Sequence, residues 1–212
     1  MSARTAARRQ DVASALSGAG ARSLLVTDPR NIAYLTGFRG SGGAVLVEDD
    51  GAAVLCTDSR YELQIADQAP DVDHVISRDY VAGVLGRRTA PAGSPLAVEA
   101  HVMTLVAAAA LRTTLSELGA ETTPVVETRG IVEEVRRSKD ARELAVIERA
   151  CGAVDRAWTH LLAAGLVAEG RTEREVAADL EHAMDGLRHD RRVGAQRRAP
   201  APRPRRPCPA GR

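Results

Sequence analysis

The chain has 212 residues and a formal net charge of +1; 44% of it is hydrophobic, 27% charged and 2% aromatic, which suits a soluble globular protein of one generous domain or two small ones. Its longest unbroken apolar run, residues 105–111, is far short of the roughly 20 residues a membrane helix needs, and no collagen-like or heptad tract persists, so spanning and fibrous classes are excluded. The charge is unevenly divided: residues 188–212 hold nine Arg and one Asp, a charge of +8, which leaves −7 on residues 1–187.

The basic start Arg4, Arg8, Arg9 is followed by no apolar core, so no secretory leader is expected. Residues 2–19 carry Val12, Ala15, Leu16 and Ala19 at helical spacing, closed by Gly18 and Gly20, which predicts one amphipathic helix. A strand is expected over 23–27, broken at Asp28-Pro29 because proline disfavours the helical region for the residue before it. Residues 44–47 and 52–56 are apolar runs separated by Glu48-Asp-Asp-Gly51, the pattern of a hairpin. Helices are expected over 61–69 and 104–118, and strands over 74–76, 95–98 and 123–126. This alternation predicts an α/β domain over residues 1–133.

From Ser138, a helix cap, Leu144, Ile147, Cys151, Val154, Trp158 and Leu161 step by three and four as far as Gly165, predicting a long helix over 138–165. Thr172-Glu-Arg-Glu175 has the capping-box spacing ahead of Val176, Leu180, Met184 and Leu187, predicting a second over 172–187. Residues 188–212 contain five Pro and almost no apolar side chains, and are expected to be a disordered basic tail.

Residues able to carry chemistry are few. Cys56, Cys151 and Cys208 are odd in number and have no paired spacing; they fit reduced thiols of a cytoplasmic protein, each read as buried filler. His74, His101, His160, His182 and His189 include no i, i+4 pair and are read as surface or cap residues rather than metal ligands. Carboxylates on the two long helices alternate with Arg142, Arg149, Arg156 and Arg174, as solvated faces do. No nucleophile elbow is present. Three of the five aromatics, Tyr34, Phe38 and Tyr61, fall within residues 31–61 around glycines 37, 40, 42 and 43. That glycine spacing is no phosphate loop; by pattern alone the stretch reads as a turn-rich hairpin with aromatics at its base.

Four motifs in register carry a resemblance. Asp28-Pro-Arg-Asn-Ile-Ala-Tyr-Leu-Thr-Gly-Phe-Arg-Gly-Ser-Gly-Gly-Ala44, Thr57-Asp-Ser-Arg-Tyr61, Arg137-Ser-Lys-Asp-Ala-Arg-Glu-Leu144 and Glu169-Gly-Arg-Thr-Glu-Arg-Glu-Val-Ala177 are similar to the creatinase and aminopeptidase P family, most of all to its Xaa-Pro aminopeptidases. The resemblance implies a creatinase-type N-terminal domain with a mixed sheet and flanking helices, then a pita-bread peptidase domain of which residues 134–187 are the incomplete start. It implies cleavage before proline in short peptides, homo-oligomers, and two divalent ions, commonly manganese. The five metal ligands of that family, two Asp, one His and two Glu, lie on strands after the two long helices and have no counterpart here. This chain is therefore expected to hold no catalytic residue, metal or cofactor of its own and to be inactive. By the same likeness Phe38, Arg60 and Tyr61 are candidates for lining the substrate pocket or facing a neighbouring subunit.

A module of another class is the alternative: a non-catalytic α/β binding or dimerisation domain whose Arg-rich tail touches nucleic acid nonspecifically through charge. The tail has no aromatic to stack on bases, as a single-strand binder would. Lys139 is the sole lysine among 29 basic residues, pointing to GC-rich coding. With permitted codons and a one-base shift, residues 189–204 read Thr-Thr-Val-Val-Ser-Gly-Pro-Asn-Ala-Ala-Arg-Pro-His-His-Ala, the kind of segment the family carries at this point. The tail is thus expected to be out of frame. Coding DNA beyond codon 188 tests this: its shifted frame should encode strands bearing the metal ligands, and a frame without them ends the idea.

Overall fold

The computed structural model describes the backbone of residues 2–196 and the side chains of residues 3–186. The chain forms two compact units, Met1–Ser138 and Lys139–Arg212. The first contains α1 (Ser2–Gly18), β1 (Ser23–Val26), α2 (Pro29–Thr36), β2 (Ala44–Glu48), β3 (Ala53–Thr57), a 3-10 turn at Ser59–Tyr61, α3 (Glu62–Gln68), β4 (Asp73–Ile76), α4 (Tyr80–Leu85), β5 (Leu96–Glu99), α5 (Leu105–Glu117), β6 (Val125–Thr128) and α6 (Ile131–Arg137). The second contains α7 (Ala141–Ala163) and α8 (Glu173–Gln196).

The six strands form one sheet in the order β4-β3-β2-β1-β5-β6. The hairpin pairs β2 with β3 antiparallel, Val45 opposite Leu55, and β1 runs antiparallel to β2; the outer pairs β3/β4, β1/β5 and β5/β6 are parallel. Side chains alternate across the sheet, as the strand period requires. Leu24, Val26, Val45, Val47 and Leu55 pack with residues of α1, α2, α3 and α6. Leu25, Ala44, Leu46 and Cys56 pack with residues of α4 and α5. Both faces of the central strands are covered, which accounts for their continuous apolar runs.

Three short helices, α2, α4 and α6, were not evident from periodicity. Each is under nine residues; α2 and α4 are set by side-chain caps, whereas α6 begins at Gly130 with no side-chain cap. Asp28 caps α2, accepting from the amides of Arg30 and Asn31, with Pro29 in the first turn, so Asp28-Pro29 both stops a strand and starts a helix. Asp79 caps α4 through the Ala82 amide. At its other end α2 leaves carbonyls without partners along the helix: Arg8 donates to the Tyr34 carbonyl at 3.1 Å and Arg9 to the Leu35 carbonyl at 3.0 Å. Arg9 also pairs with Asp71 at 3.1 Å, so two arginines of α1 hold the point where the chain leaves α2.

A buried network holds the other end of α2. Glu99, 3% exposed at the end of β5, accepts from the Thr27 amide at 2.8 Å, the Asp28 amide at 3.1 Å and Asn31 Nδ2 at 2.6 Å. Asn31 Nδ2 also donates to Glu133 Oε1 at 2.7 Å, and its own Oδ1 accepts from Arg136 at 2.7 Å. Burial pushes the Glu99 carboxyl above the ordinary carboxylate value despite its three donors. At Glu133 burial acts the same way, but the hydrogen bonds from Asn31 and His101 outweigh it and the carboxyl sits lower than usual.

In the second unit the cap of α7 is Asp140 rather than Ser138, in a capping box with Glu143; Ser138 is instead the residue on which α6 ends. The expected box at α8 is present: the Thr172 amide donates to Glu175 at 2.8 Å and the Glu175 amide to Thr172 Oγ1 at 3.4 Å. Helix α8 runs to Gln196, past the expected end at 187. Residues 188–196 contain no proline, and an established helix adds one bond per residue. The remainder of the basic tail, with Cys208, lies outside the described residues. Of the apolar stripe on α7, Leu161 is buried, whereas Leu144, Ile147, Val154 and Trp158 are exposed. Cys151 is exposed as well, correcting its reading as filler; Cys56 is buried as expected.

Trypsin has Arg137 and Lys139 at the junction between the units. Limited digestion should therefore leave a stable fragment ending near residue 138, since the sheet and both its clusters lie before that point. Amides of α7 and α8 should exchange faster than those of β2 and β3. Equal protection of residues 144–186 and the central strands in a monomer would contradict this.

Candidate functional site

Helix α2 ends at Gly37, whose φ of 88° is a left-handed cap that glycine adopts without strain. The turn sends Phe38 into the core at 1% exposure. Residues 39–43 then pass over the end of β3 at close range. A Cβ on Gly43 would lie 2.8 Å from the Cys56 carbonyl oxygen, and one on Gly42 2.7 Å from the Tyr80 hydroxyl, so this loop needs glycine for backbone approach. Thr57 Oγ1 donates to the Gly42 carbonyl at 2.7 Å, fixing the loop to β3.

The 3-10 turn after β3 brings up the polar groups. Asp58 caps it, Oδ1 accepting from the Arg60 amide at 3.0 Å and from Arg60 Nε at 2.9 Å, while Oδ2 accepts from Arg60 Nη2 at 2.8 Å. The Tyr80 hydroxyl, at the start of α4, donates to the same Oδ2 at 2.8 Å. The Arg60 and Tyr80 hydrogen bonds hold the Asp58 carboxyl well below the usual carboxylate range. The same contact raises Tyr80, whose proton is committed to an ionised acceptor. Tyr61 meets Ser41 of the glycine loop through a 2.7 Å contact between hydroxyls and a 3.3 Å bond from the Ser41 amide; these bonds hold the Tyr61 phenol below its ordinary value. Its ring stands edge-on to Phe38, centroids 5.6 Å apart.

Of the three residues singled out from sequence, Arg60 and Tyr61 are thus adjacent at the surface, with the Arg60 side chain 71% exposed. Phe38 lies beneath them, 1% exposed and packed against the Tyr61 ring. Burial wins at Phe38 because the Gly37 cap turns it inward. Sequence reasoning assigned no role to Asp58, Tyr80, Ser41 or Arg78. The Asp-x-Arg spacing of a capped turn is a signal for Asp58; Tyr80 lies 22 residues from Asp58 and carries none. His101 lies 3.3 Å from Glu133, its side chain 24% exposed. Among the described residues no three His, Cys, Asp or Glu side chains meet so as to hold a metal ion, and no helix is long and apolar enough to cross a membrane.

A mixed sheet flanked by helices, with a glycine loop crossing the end of β3, defines a creatinase-type N-terminal domain. The chain belongs to that family: the Creatinase/Prolidase N-terminal domain model matches residues 8–138. It is similar to the N-terminal domain of the cytoplasmic peptidase PepQ from Mycobacterium tuberculosis H37Rv, with 38% identity, a TM-score of 0.56, and 61% of this chain and 98% of that one covered. An Xaa-Pro dipeptidase from Bacillus anthracis is 25% identical with a TM-score of 0.74, over 86% of this chain and 49% of that one; this likeness extends into the long helices, consistent with the start of a pita-bread domain. The uncharacterized peptidase YqhT of Bacillus subtilis (strain 168) is 31% identical over 170 residues, 78% of this chain and 45% of that protein. The chain thus spans about half the length of the curated relative it matches.

Tyr80→Phe removes one donor from Asp58 and leaves Arg60 in place. The Asp58 carboxyl should then titrate higher than in the parent, followed by NMR of its side-chain carboxyl carbon. Because the folded value is depressed, Asp58 stabilises the fold above the ordinary range near ~3.9 and loses that contribution as pH falls through the folded value. The variant should therefore lose stability earlier on acidification; an unchanged Asp58 titration would refute the role given to Tyr80.

Proposed function

We propose that this chain is the N-terminal part of a proline-specific metallopeptidase that releases the residue before proline from short peptides. The observation that carries the reading is the Asp58–Arg60–Tyr61–Tyr80 cluster, built around the family's Asp-Ser-Arg-Tyr motif in a chain similar to a dipeptidase of named Xaa-Pro specificity. In this reading the first unit pairs subunits and walls the substrate pocket, Arg60 and Tyr61 being its exposed members. The protein works in the cytoplasm, as the PepQ relative does.

Two divalent ions, commonly manganese, are implied by the resemblance and would activate a water for attack on the carbonyl of the bond before proline. The described residues do not fit them. The nearest approach to a ligand set, Glu99 with Glu133, is bridged by the Asn31 amide, and both carboxylates already accept hydrogen bonds from it. No step is assigned to metal in this chain, and the 212-residue polypeptide should lack hydrolytic activity.

Purified chain with added manganese should release nothing from an Xaa-Pro peptide; chelator-sensitive release would overturn the proposed inactivity. A chimera placing residues 1–186 before the remaining catalytic part of the B. anthracis dipeptidase tests the peptidase reading itself. With folding verified by circular dichroism and size, it should cleave Xaa-Pro substrates, and a folded but inactive chimera counts against the assignment.

A further inference from the structure

An open cleft of about 770 Å3 lies at the hairpin end of β2 and β3, opposite the end that carries Asp58. Ala53, Val54 and Val75 give it an apolar lining, and Glu48, Asp73 and Arg87 bring charge to it. Glu48 is only 5% exposed. Its Oε1 accepts from the Thr89 amide at 2.9 Å, whereas Oε2 is buried with no partner among the described residues. Arg88, the next residue to Thr89, is committed elsewhere: Nε donates to Ser23 at 2.7 Å and Nη2 to the carbonyls of Ser94 and Pro95. Asp71, also at the cleft, is occupied by Arg9 and Thr5. Asp73 is exposed and makes no side-chain hydrogen bond or ion pair among the described residues.

A buried carboxylate oxygen without a donor is costly, and a charged donor entering from the cleft would recover that cost. The register places the second acid where one ligand can reach both. Leu46 and Val75 belong to the cluster under α4 and α5; Glu48 and Asp73 each stand two residues from them along their strands and so share that face of the sheet. Asp73 is level with Val54 and, through it, with Leu46. It therefore lies two strands across and two residues along from Glu48, roughly 12 Å between Cα atoms, with Val54 between them. An extended four-carbon diamine, its nitrogens about 6 Å apart, covers that span with a hydrogen bond of about 3 Å at each end. A metal ion does not suit the cleft, since no three ligating side chains meet among the described residues. An anion would face two acids against Arg87.

We propose that this cleft is a binding site for a linear aliphatic diamine, one ammonium donating to Glu48 Oε2 and the other to the Asp73 carboxylate, with the carbon chain lying over Val54. The site is separate from the Asp58–Arg60 turn and does not depend on the peptidase reading. Each end of the ligand supplies a charge-assisted hydrogen bond, so a monoamine of equal chain length makes only one of the two. Arg87 opposes a cation in the cleft by like charge and holds the affinity down.

The full 212-residue chain, labelled with nitrogen-15, is titrated with 1,4-diaminobutane, n-butylamine and magnesium chloride, ionic strength being matched with sodium chloride. The diamine should shift the backbone amide signals of Thr89 and Asp73 saturably. Butylamine should need a concentration at least about tenfold higher, as expected when a hydrogen bond to a charged group is lost. Asp73→Asn, at an exposed position, should weaken the diamine by about the same factor and leave butylamine unchanged. Glu48→Gln keeps an acceptor for the Thr89 amide but removes the charge, and should weaken both amines; Arg87→Gln should tighten both. Equal affinity for diamine and monoamine, an equal response to magnesium, an unmoved Thr89 signal, or unchanged diamine binding in Asp73→Asn overturns the site.

Discussion

The carboxylate of Glu99 is the constraint on which the first unit turns. It is buried where β1 ends and α2 begins, where the amides of Thr27 and Asp28 need an acceptor. Glu99 accepts both, together with Asn31. Asn31 passes the constraint on to Glu133 and Arg136 of α6. A buried charge is tolerated only when hydrogen-bonded, and removing one partner would leave the others unsatisfied. The network therefore specifies geometry more than it adds stability. Burial still leaves Glu99 with a raised value, so its contribution is greatest below the ordinary carboxylate range and fades as pH rises through the folded value.

From that anchor the rest follows along the chain. Helix α2 is fixed at its start by Glu99 and at its end by Arg8 and Arg9. Its Gly37 cap turns Phe38 inward, Phe38 supports the Tyr61 ring, and the glycines beyond it let the loop lie on β3. The exposed site thus rests on a buried one through a continuous series of contacts. An ion pair as exposed as Asp58–Arg60 contributes little to stability in screening water. What it supplies is an arginine held by two side-chain hydrogen bonds to one carboxylate.

The second unit is simpler in construction. Its two helices have strong caps and regular apolar spacing, yet most of the α7 stripe is open to solvent in the described structure. Local signals suffice to form such helices, and nothing in their periodicity tells a covered stripe from an uncovered one. For the same reason Cys151, on the stripe, reads as filler and is not.

What the sequence determined by itself is whatever has a local physical cause. The hairpin of β2 and β3, the two long helices with the capping box of α8, and the α/β alternation follow from side-chain period and turn chemistry within a few residues. The family motifs likewise single out Asp58-Ser-Arg-Tyr61 in the sequence. Only tertiary structure decided the rest. The sheet order puts β5 beside β1 and so brings Glu99 to Asn31, 68 residues earlier; no periodic pattern encodes that pairing. The short helices α2 and α4 depend on caps and packing, and α6 on packing, because so few residues cannot hold a helix through propensity alone. Phe38 went under the site and Tyr80 came to Asp58 because the fold closed around a glycine turn and a parallel strand, and contacts across such distances are set by how the layers pack.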